Sequence, residues 1–461
     1  MINRRNLLKS CGAAASAPFY AEAAPLLPNI VTIMFDDLGY GDCSCYGHPT
    51  IITPHIDGMA REGMRFTQFA GSPLCAPSRG QLMTGRLGMR TGLTTNFFPW
   101  SEGGIPDSEI TVAQMLKKAG YDTMCVGKWH LGHLPRYLPT RHGFDDYFGI
   151  PYSNDMSKAT NRSDWAARTP PTPLIRGEKI VEQEPDQSML TQRYTEVAVE
   201  FIRKSVRAGR PFFLYVPHTM PHAPIAASSR FRGRSQGGLY GDVVQELDWS
   251  VGEILRVLRE QKVDRNTLVV MTSDNGPAAA GSAGPLRGNK GTTWEGGVRE
   301  PGIAWWPGKI PAGVTTPAFA TNMDLFPTFV KLAGLEMPTD RAYDGQDLSP
   351  VLFHNDPGRE PLFFYYRNSP GGPYDREEKL QAVRKGRWKL YVDRPPELCC
   401  AVNASAAPPP PEEAELPLLF DVQQDVGERR NQARRQPEVT KELLELIGLH
   451  QASFTPAPTE R

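Results

Sequence analysis

The chain has 461 residues, 40% of them hydrophobic and 22% charged, which is apolar material for two domains or for one large and one small. Its 51 basic and 51 acidic residues cancel, so the charge balance excludes the net positive field of a nucleic-acid binder or of a protein drawn to anionic membranes. Seven cysteines are few for a secreted disulfide scaffold.

The N-terminus runs from Met1 through Arg4-Arg5-Asn-Leu-Leu-Lys-Ser10 into a weakly apolar stretch, Cys11 to Tyr20, and the small residues Ala21-Glu-Ala-Ala24. Paired arginines before a short apolar run and a small-residue cleavage site read as an export signal over residues 1–24, of the twin-arginine type that leads to a bacterial periplasm. The competing reading is a basic tail. The apolar part is too short to span a bilayer, so no integral membrane segment is expected.

Asn29 to Phe35 is a continuous apolar run, the mark of a strand buried on both faces, and it stops at Asp36-Asp37. Similar runs recur at Tyr121 to Val126, Pro211 to Val216, Thr267 to Thr272 and Gly302 to Trp306. Amphipathic helical stretches lie between them, at Thr111 to Ala119, Tyr194 to Ser205, Val243 to Gln261 and Met323 to Ala333. Strand alternating with helix at this spacing predicts an α/β domain with a mainly parallel sheet sandwiched by helices, over residues 25–347. Ser157 to Ser188 is a polar, proline-bearing insertion expected to leave the sheet as a loop or hairpin over one edge. From residue 348 to 461 the pattern changes: Leu380 to Tyr391 and Leu418 to Asp421 read as strands, Ala406 to Glu413 as a proline-rich loop, and Pro437 to Gln451 as a helix. A smaller antiparallel sheet with one helix is the expectation there.

Several residues at strand ends carry chemistry. Asp36 and Asp37 follow the first buried strand and Asp274-Asn275-Gly276 follows another, at the end where open parallel sheets bind ligands. Taken together they form a hard, all-oxygen set suited to Ca²⁺ or Mg²⁺, although Asp-Asp also caps helices and Asp-Asn-Gly also makes turns. Gly127-Lys128-Trp129-His130-Leu131-Gly132 follows the strand ending at Val126. If that segment is extended, Lys128 and His130 point to one face and reach one anionic group; otherwise they are a solvated lysine beside a half-buried histidine. His218-Thr-Met-Pro-His222-Ala-Pro224 ends a further strand and offers two histidines. Gly71-Ser-Pro-Leu-Cys75-Ala-Pro-Ser-Arg79-Gly80 places a thiol two residues before a proline and four before an arginine, a spacing that fits neither a zinc site nor a disulfide framework. Such a cysteine alone is more often a small buried hydrophobe.

The Cys75-Ala-Pro-Ser-Arg79 block resembles the signature of the type I sulfatases, in which this cysteine is oxidised after translation to formylglycine. Leu286 to Pro301, with Lys290 inside it, resembles the second long sulfatase block, and the Lys128–His130 segment resembles the family's lysine–histidine loop. Gly149-Ile-Pro-Tyr-Ser153-Asn-Asp and the closing Leu416 to Arg429 resemble the arylsulfatase A and N-acetylgalactosamine-6-sulfatase branch, so the likeness runs from about Asn29 to Asn431.

The resemblance implies an alkaline-phosphatase-like α/β fold and hydrolysis of a sulfate ester, aryl or carbohydrate such as sulfated galactose or N-acetylgalactosamine. It implies one Ca²⁺, or Mg²⁺, held by Asp36, Asp37, Asp274, Asn275 and the modified residue 75. Related phosphatases carry a histidine for a second zinc where Asn275 stands. Arg79, Lys128 and Lys290 would neutralise the sulfate oxygens and the diol of the hydrated residue 75, Asp274 would take the attacking proton, His222 with Lys290 would protonate the leaving oxygen, and His130 would act in sulfate release. Ser153 would lie near the ester and His218 would be structural. A formylglycine-generating maturase is the implied partner. A phosphonate monoester or phosphodiester hydrolase, and an inactive carbohydrate-binding homologue with Cys75 unconverted, are the alternatives. With Cys11 and Cys75 set aside, Cys43, Cys45, Cys125, Cys399 and Cys400 are odd in number, so at least one thiol is expected free.

Overall fold

Every residue of strand β1 (Asn29–Phe35) is buried, as a strand covered by helices on both faces requires. Its side chains alternate between two cores. Ile30 and Met34 pack with Phe213, Leu82, Leu116, Phe326 and Phe329 on one face, while Val31, Ile33 and Phe35 pack with Tyr194, Ile202, Leu247 and Ile254 on the other. The helices Cys75–Thr84, Val112–Lys118 and Leu325–Leu332 cover the first face; Leu190–Ala208 and Gly238–Glu260 cover the second. Thr111 starts one of them with a reciprocal capping box to Gln114.

The computed structural model describes residues 26–158, 169–278, 280–358, 361–366, 379–396 and 415–452. After β1 come β2 (Met64–Ala70), β3 (Asp122–Val126), β4 (Asp146–Gly149), β5 (Pro173–Arg176), β6 (Lys179–Gln183), β7 (Phe212–Pro217), β8 (Thr267–Ser273), β9 (Arg299–Trp305) and β10 (Val314–Thr321). They form one ten-stranded sheet in the order β10-β2-β9-β8-β1-β7-β3-β4-β5-β6. The central block from β8 to β4 is parallel, which puts the carboxyl ends of β1, β3, β7 and β8 side by side.

Three features depart from the sequence expectation. Gly302 to Trp306 belongs to β9, which runs antiparallel to both β8 and β2; the loop after β8 stays at the carboxyl end of the sheet, so the chain can only return against its neighbour. β2, β4 and β10 were not predicted: Arg65, Thr67 and Gln68 in the first, and Pro317 and a bulge after Thr316 in the last, break the apolar run, and β4 is a four-residue strand that begins on an aspartate and ends on a glycine. The insertion does not leave the sheet: β5 and β6 form a hairpin that extends it beyond β4.

The small sheet, β11 (Leu362–Tyr366), β12 (Lys379–Lys385), β13 (Trp388–Tyr391) and β14 (Leu418–Asp421), is antiparallel throughout. One face, with Phe364, Tyr391 and Phe420, packs on Trp294, Val298 and Met323. The other, with Val383, Leu390 and Leu419, is covered by Leu443 and Ile447 of the helix Pro437–Ala452. Leu348, Val351 and Leu352, just past the expected boundary at 347, still pack in the first core of the large sheet. The export-signal segment, Cys399, Cys400 and Ala406 to Glu413 lie outside the described residues. Among the described residues Cys43, Cys45, Cys75 and Cys125 are free thiols, and no helix is long and apolar enough to cross a membrane.

Candidate active site

Five segments deliver their side chains to one point because each follows a strand of the parallel block: Asp36 and Asp37 after β1, Lys128 and His130 after β3, Ser153 after β4, His222 after β7, Asp274 and Asn275 after β8. Cys75 is the first residue of the helix Cys75–Thr84, and Arg79 lies one turn on, on the same face. Lys290 comes from the long loop between β8 and β9. The turns are tight. Asp37 and His130 have positive φ of 67° and 59°, a conformation that non-glycine residues hold only where the surroundings enforce it. The segment around Lys128 is therefore not extended; Gly127 at φ 136° turns it, and a Cβ there would lie 1.9 Å from the Pro217 carbonyl.

Three carboxylates and three cations interlock in this space. Arg79 donates through Nε and Nη2 to Asp274 Oδ2 at 3.1 and 2.7 Å, and through Nη1 to the Lys128 carbonyl at 2.7 Å. Lys128 Nζ donates to Asp36 Oδ2 at 2.6 Å and to Ser153 Oγ at 3.2 Å. Lys290 Nζ donates to Asp37 Oδ1 at 2.6 Å and lies 3.2 Å from Cys75 Sγ, which is itself 3.5 Å from Asp36 Oδ1. All are buried. Burial works against ionisation of Asp36 and Asp37, yet Lys128, His222 and Arg79 around the first, and Lys290 and His222 around the second, hold both below the usual carboxylate range. One N–H on each of the three guanidinium nitrogens is engaged by a protein acceptor, which anchors Asp274 and the Lys128 turn, while the second N–H of each Nη lies outside these bonds.

The histidines divide by environment. His222 Nδ1 donates to the Ala223 carbonyl at 2.6 Å, which turns Nε2 toward Ser153 Oγ at 3.4 Å and Asp37 Oδ2 at 3.7 Å. His218 sits in the core, stacked on Phe35 and 3.2 Å from Ser250 Oγ, and burial pushes it down to about 3. His130 is fully buried, with Nε2 3.1 Å from the Phe97 carbonyl and Nδ1 without a partner. Since only a protonated Nε2 can donate to that carbonyl, Nδ1 presents a lone pair. Burial first, then Lys128 and Arg79, hold this ring well below the ordinary histidine range and so neutral.

The donor set fits a hard cation. Asn275 Oδ1 is buried with no hydrogen-bond partner while its Nδ2 donates to Asp37 Oδ1 at 2.8 Å, and a lone amide oxygen beside carboxylates is a ligand for Ca²⁺ or Mg²⁺. One ligand atom each of Asp36, Asp37, Cys75 and His222 lies within 4.8 Å of the others. Cys75 is less suited as it stands: burial, then Asp274, push its thiol up, and a neutral thiol is a poor nucleophile and a poor ligand for such an ion.

Three contributors were not expected from sequence. Asn96 Oδ1 accepts from Ala76 N at 3.0 Å, securing the start of the Cys75 helix. Phe97 supplies the carbonyl that sets the His130 tautomer. Asn154 Nδ2 reaches the His222 and Pro224 carbonyls at 3.4 and 3.3 Å, tying the Ser153 loop to the His222 loop. Only Asn154 lay in a recognisable motif, beside Ser153.

Comparison with known proteins places this geometry. Residues 28–335 match the sulfatase family model and residues 357–461 match that for the C-terminal region of aryl-sulfatase. The chain is 39% identical to N-acetylgalactosamine-6-sulfatase of Canis lupus familiaris, over 96% of this chain and 89% of that protein. It is 40% identical to arylsulfatase G of Rattus norvegicus, over 90% of this chain and 84% of the relative. Among solved structures, the PsFucS1 sulfatase of Pseudoalteromonas sp. superposes with a TM-score of 0.79 at 28% identity, covering 92% of this chain and 90% of that one. The chain therefore belongs to the type I sulfatase family and is a sulfuric ester hydrolase.

Proposed function

We propose that this sulfatase hydrolyses carbohydrate sulfate esters, with residue 75 converted from cysteine to formylglycine and one Ca²⁺ or Mg²⁺ held by Asp36, Asp37, Asp274, Asn275 and the modified residue. The observation that carries the proposal is the position of Cys75. It stands at the start of a helix, between Lys290 Nζ and Asp36 Oδ1, as a protonated thiol that could neither attack sulfur well nor release a covalent sulfate. A hydrated aldehyde supplies both a hydroxyl to attack and a second to expel the sulfate.

The cation supplies Lewis-acid polarisation of a sulfate oxygen when bound. The remaining roles belong to the chain. Lys128 and Lys290 flank the sulfate and offset the charge that builds on its oxygens in the transition state. His222, when protonated, gives its Nε2 proton to the leaving oxygen; Lys290 assists, and Ser153 orients the ester beside it. Asp274 takes the proton of the attacking hydroxyl, and the free Nδ1 of neutral His130 accepts the second hydroxyl's proton as sulfate leaves. Arg79 holds Asp274 and the Lys128 turn in register.

The sugar preference is supported by the N-acetylgalactosamine-6-sulfatase relatives. A formylglycine-generating maturase acts on the Cys75 segment, and Arg4-Arg5 with the following apolar run support export to a periplasm. The test joins two measurements: intact mass of the Cys75 peptide from active protein, and turnover on sulfated galactose, sulfated N-acetylgalactosamine and a phosphodiester. An active preparation with a wholly unmodified thiol sinks the formylglycine reading, and faster turnover of the diester sinks the substrate class. Replacing Arg4 and Arg5 by lysine and following activity into the periplasmic fraction tests export separately.

A further inference from the structure

Behind Lys290, on the side away from the active site, lies a second group of buried charges that the proposed chemistry does not use. Three residues beyond Lys290, the Thr293 carbonyl accepts a hydrogen bond from Lys389 Nζ of the small sheet at 2.7 Å and lies 3.0 Å from Tyr391 OH of the same sheet. The Thr293 hydroxyl donates to Gln381 Oε1 at 2.7 Å. Lys389 Nζ also donates to Glu295 Oε1 at 2.8 Å, while Glu295 N donates to Glu428 Oε2 at 2.7 Å. Tyr391 OH closes the ring on Glu428 Oε1, its one proton shared between that carboxylate and the nearby Thr293 carbonyl. Arg287, three residues before Lys290, donates to the Glu428 carbonyl at 2.7 Å and lies 3.8 Å over the Trp294 ring. Lys389, Tyr391, Glu295, Glu428 and Gln381 are all buried.

Burying ions this way adds little to stability compared with well-packed apolar side chains. What it does provide is geometry: the bond from Lys389 to the Thr293 carbonyl on one side of Lys290, and that from Arg287 to the Glu428 carbonyl on the other, fix the loop. At the loop's tip Lys290 N donates to the Pro277 carbonyl and Gly291 N to that of Pro73, and further on Trp294 Nε1 donates to the Pro396 carbonyl at 3.0 Å.

We propose that Lys389, Tyr391 and Glu428 are positioning residues for Lys290, so that the C-terminal sheet sets the distance of its ammonium from Asp37 and residue 75. The proposal rests on the sulfatase reading of Lys290 as a group that assists the leaving oxygen. An error of about 1 Å at such a group costs on the order of a hundredfold in rate.

The test uses the full-length enzyme and two aryl sulfates, phenyl sulfate and the activated nitrophenyl sulfate. Tyr391→Phe removes one hydroxyl and Lys389→Met removes the charge while keeping the stem. Each is expected to lower kcat on phenyl sulfate about tenfold and on nitrophenyl sulfate clearly less, with KM little changed. In a Lys290→Ala background Tyr391→Phe is expected to lower the rate by less than about twofold, since coupled residues are not additive. Equal losses on both esters, or a tenfold loss that persists without Lys290, overturn the positioning role. If Lys290→Ala is itself as active as the parent, the reading of Lys290 falls instead and takes the proposal with it. Should Lys389→Met not fold, the Tyr391→Phe cycle decides alone.

Discussion

The loop carrying Lys290 lies between two groups of buried charge that differ in which atoms they leave unpartnered. Ahead of it, Asp36, Asp37 and Asp274 face Arg79, Lys128 and Lys290, and the group contains a buried amide oxygen on Asn275 and an imidazole nitrogen on His130 without protein partners. Behind it, Glu295 and Glu428 face Arg299, Arg384 and Lys389. There the carboxylates are closed off: Arg299 Nε donates to Glu295 at 2.6 Å, and both Glu428 oxygens accept from the protein. Burial opposes the charge on Glu295, but Arg299, Lys389 and Arg384 hold it well below the usual range. Glu428, with burial prevailing over Lys389, is pushed up to about 7. The same residue types thus serve two ends. Ahead of the loop the unpartnered atoms are acceptors, which a cation or a proton can use; behind it the carboxylates are closed off and the unpartnered atom is a donor, Arg384 Nη2, so that cluster offers a cation no ligand and fixes a shape.

The strongest test of that contrast is residue 75. Cys75→Ala is expected to reduce sulfate ester hydrolysis by roughly ten-thousandfold or more, the scale seen when a nucleophile is removed, with thermal stability nearly unchanged; retained activity in a steady-state assay would break the comparison at its centre.

Next come the groups around the leaving oxygen. His222→Ala and Lys290→Ala should each lower turnover on sugar sulfates about a hundredfold or more and on nitrophenyl sulfate much less, because an activated phenolate leaves without a proton. His218→Ala should instead act mainly on folding, as a core residue packed against Phe35 and Tyr194. A larger catalytic loss at His218 than at His222, measured on folded protein, would reverse the assignment.

The unpartnered Asn275 oxygen gives a third test. Elemental analysis should find about one hard divalent ion per chain, and Asn275→Leu should weaken its retention on dialysis against a chelator by about tenfold or more while leaving the small sheet folded. Two zinc ions per chain would point to phosphatase chemistry.

The smallest effect concerns a carboxylate in neither group. Asp248 accepts from the backbone of Ile56 and His55, yet burial pushes it up to about 7 from 3.8. Between those values the folded protein holds a proton that the unfolded chain has lost, so this residue makes stability fall as pH rises through that window. Asp248→Asn should flatten that part of the profile, read from urea midpoints between about pH 4 and pH 7. An unchanged slope would show that Asp248 is ionised in the fold.

Much of the active site was legible because its residues sit at strand ends inside contiguous motifs. Asp36-Asp37 and Asp274-Asn275 each end an uninterrupted apolar strand, and Cys75 with Arg79 needs only one helical turn to share a face. Asn96 and the Phe97 carbonyl were not legible. Their contribution depends on where a loop without regular structure crosses the Cys75 helix and the His130 turn, and one of them acts through a backbone atom that any residue would supply.

The sequence by itself determined the central parallel strands, the helices on both faces and the gathering of acids, lysines and histidines at one end, since these follow from local periodicity and from motifs no longer than a loop. Tertiary structure decided the antiparallel return of β9, the edge hairpin β5–β6, the inward turn of Arg79 and the ring of Lys389, Tyr391 and Glu428 behind Thr293. Each of these is a pairing between segments distant along the chain. Its free energy comes from desolvated hydrogen bonds and ion pairs that exist only once both partners are buried together, so no pattern within either segment announces it.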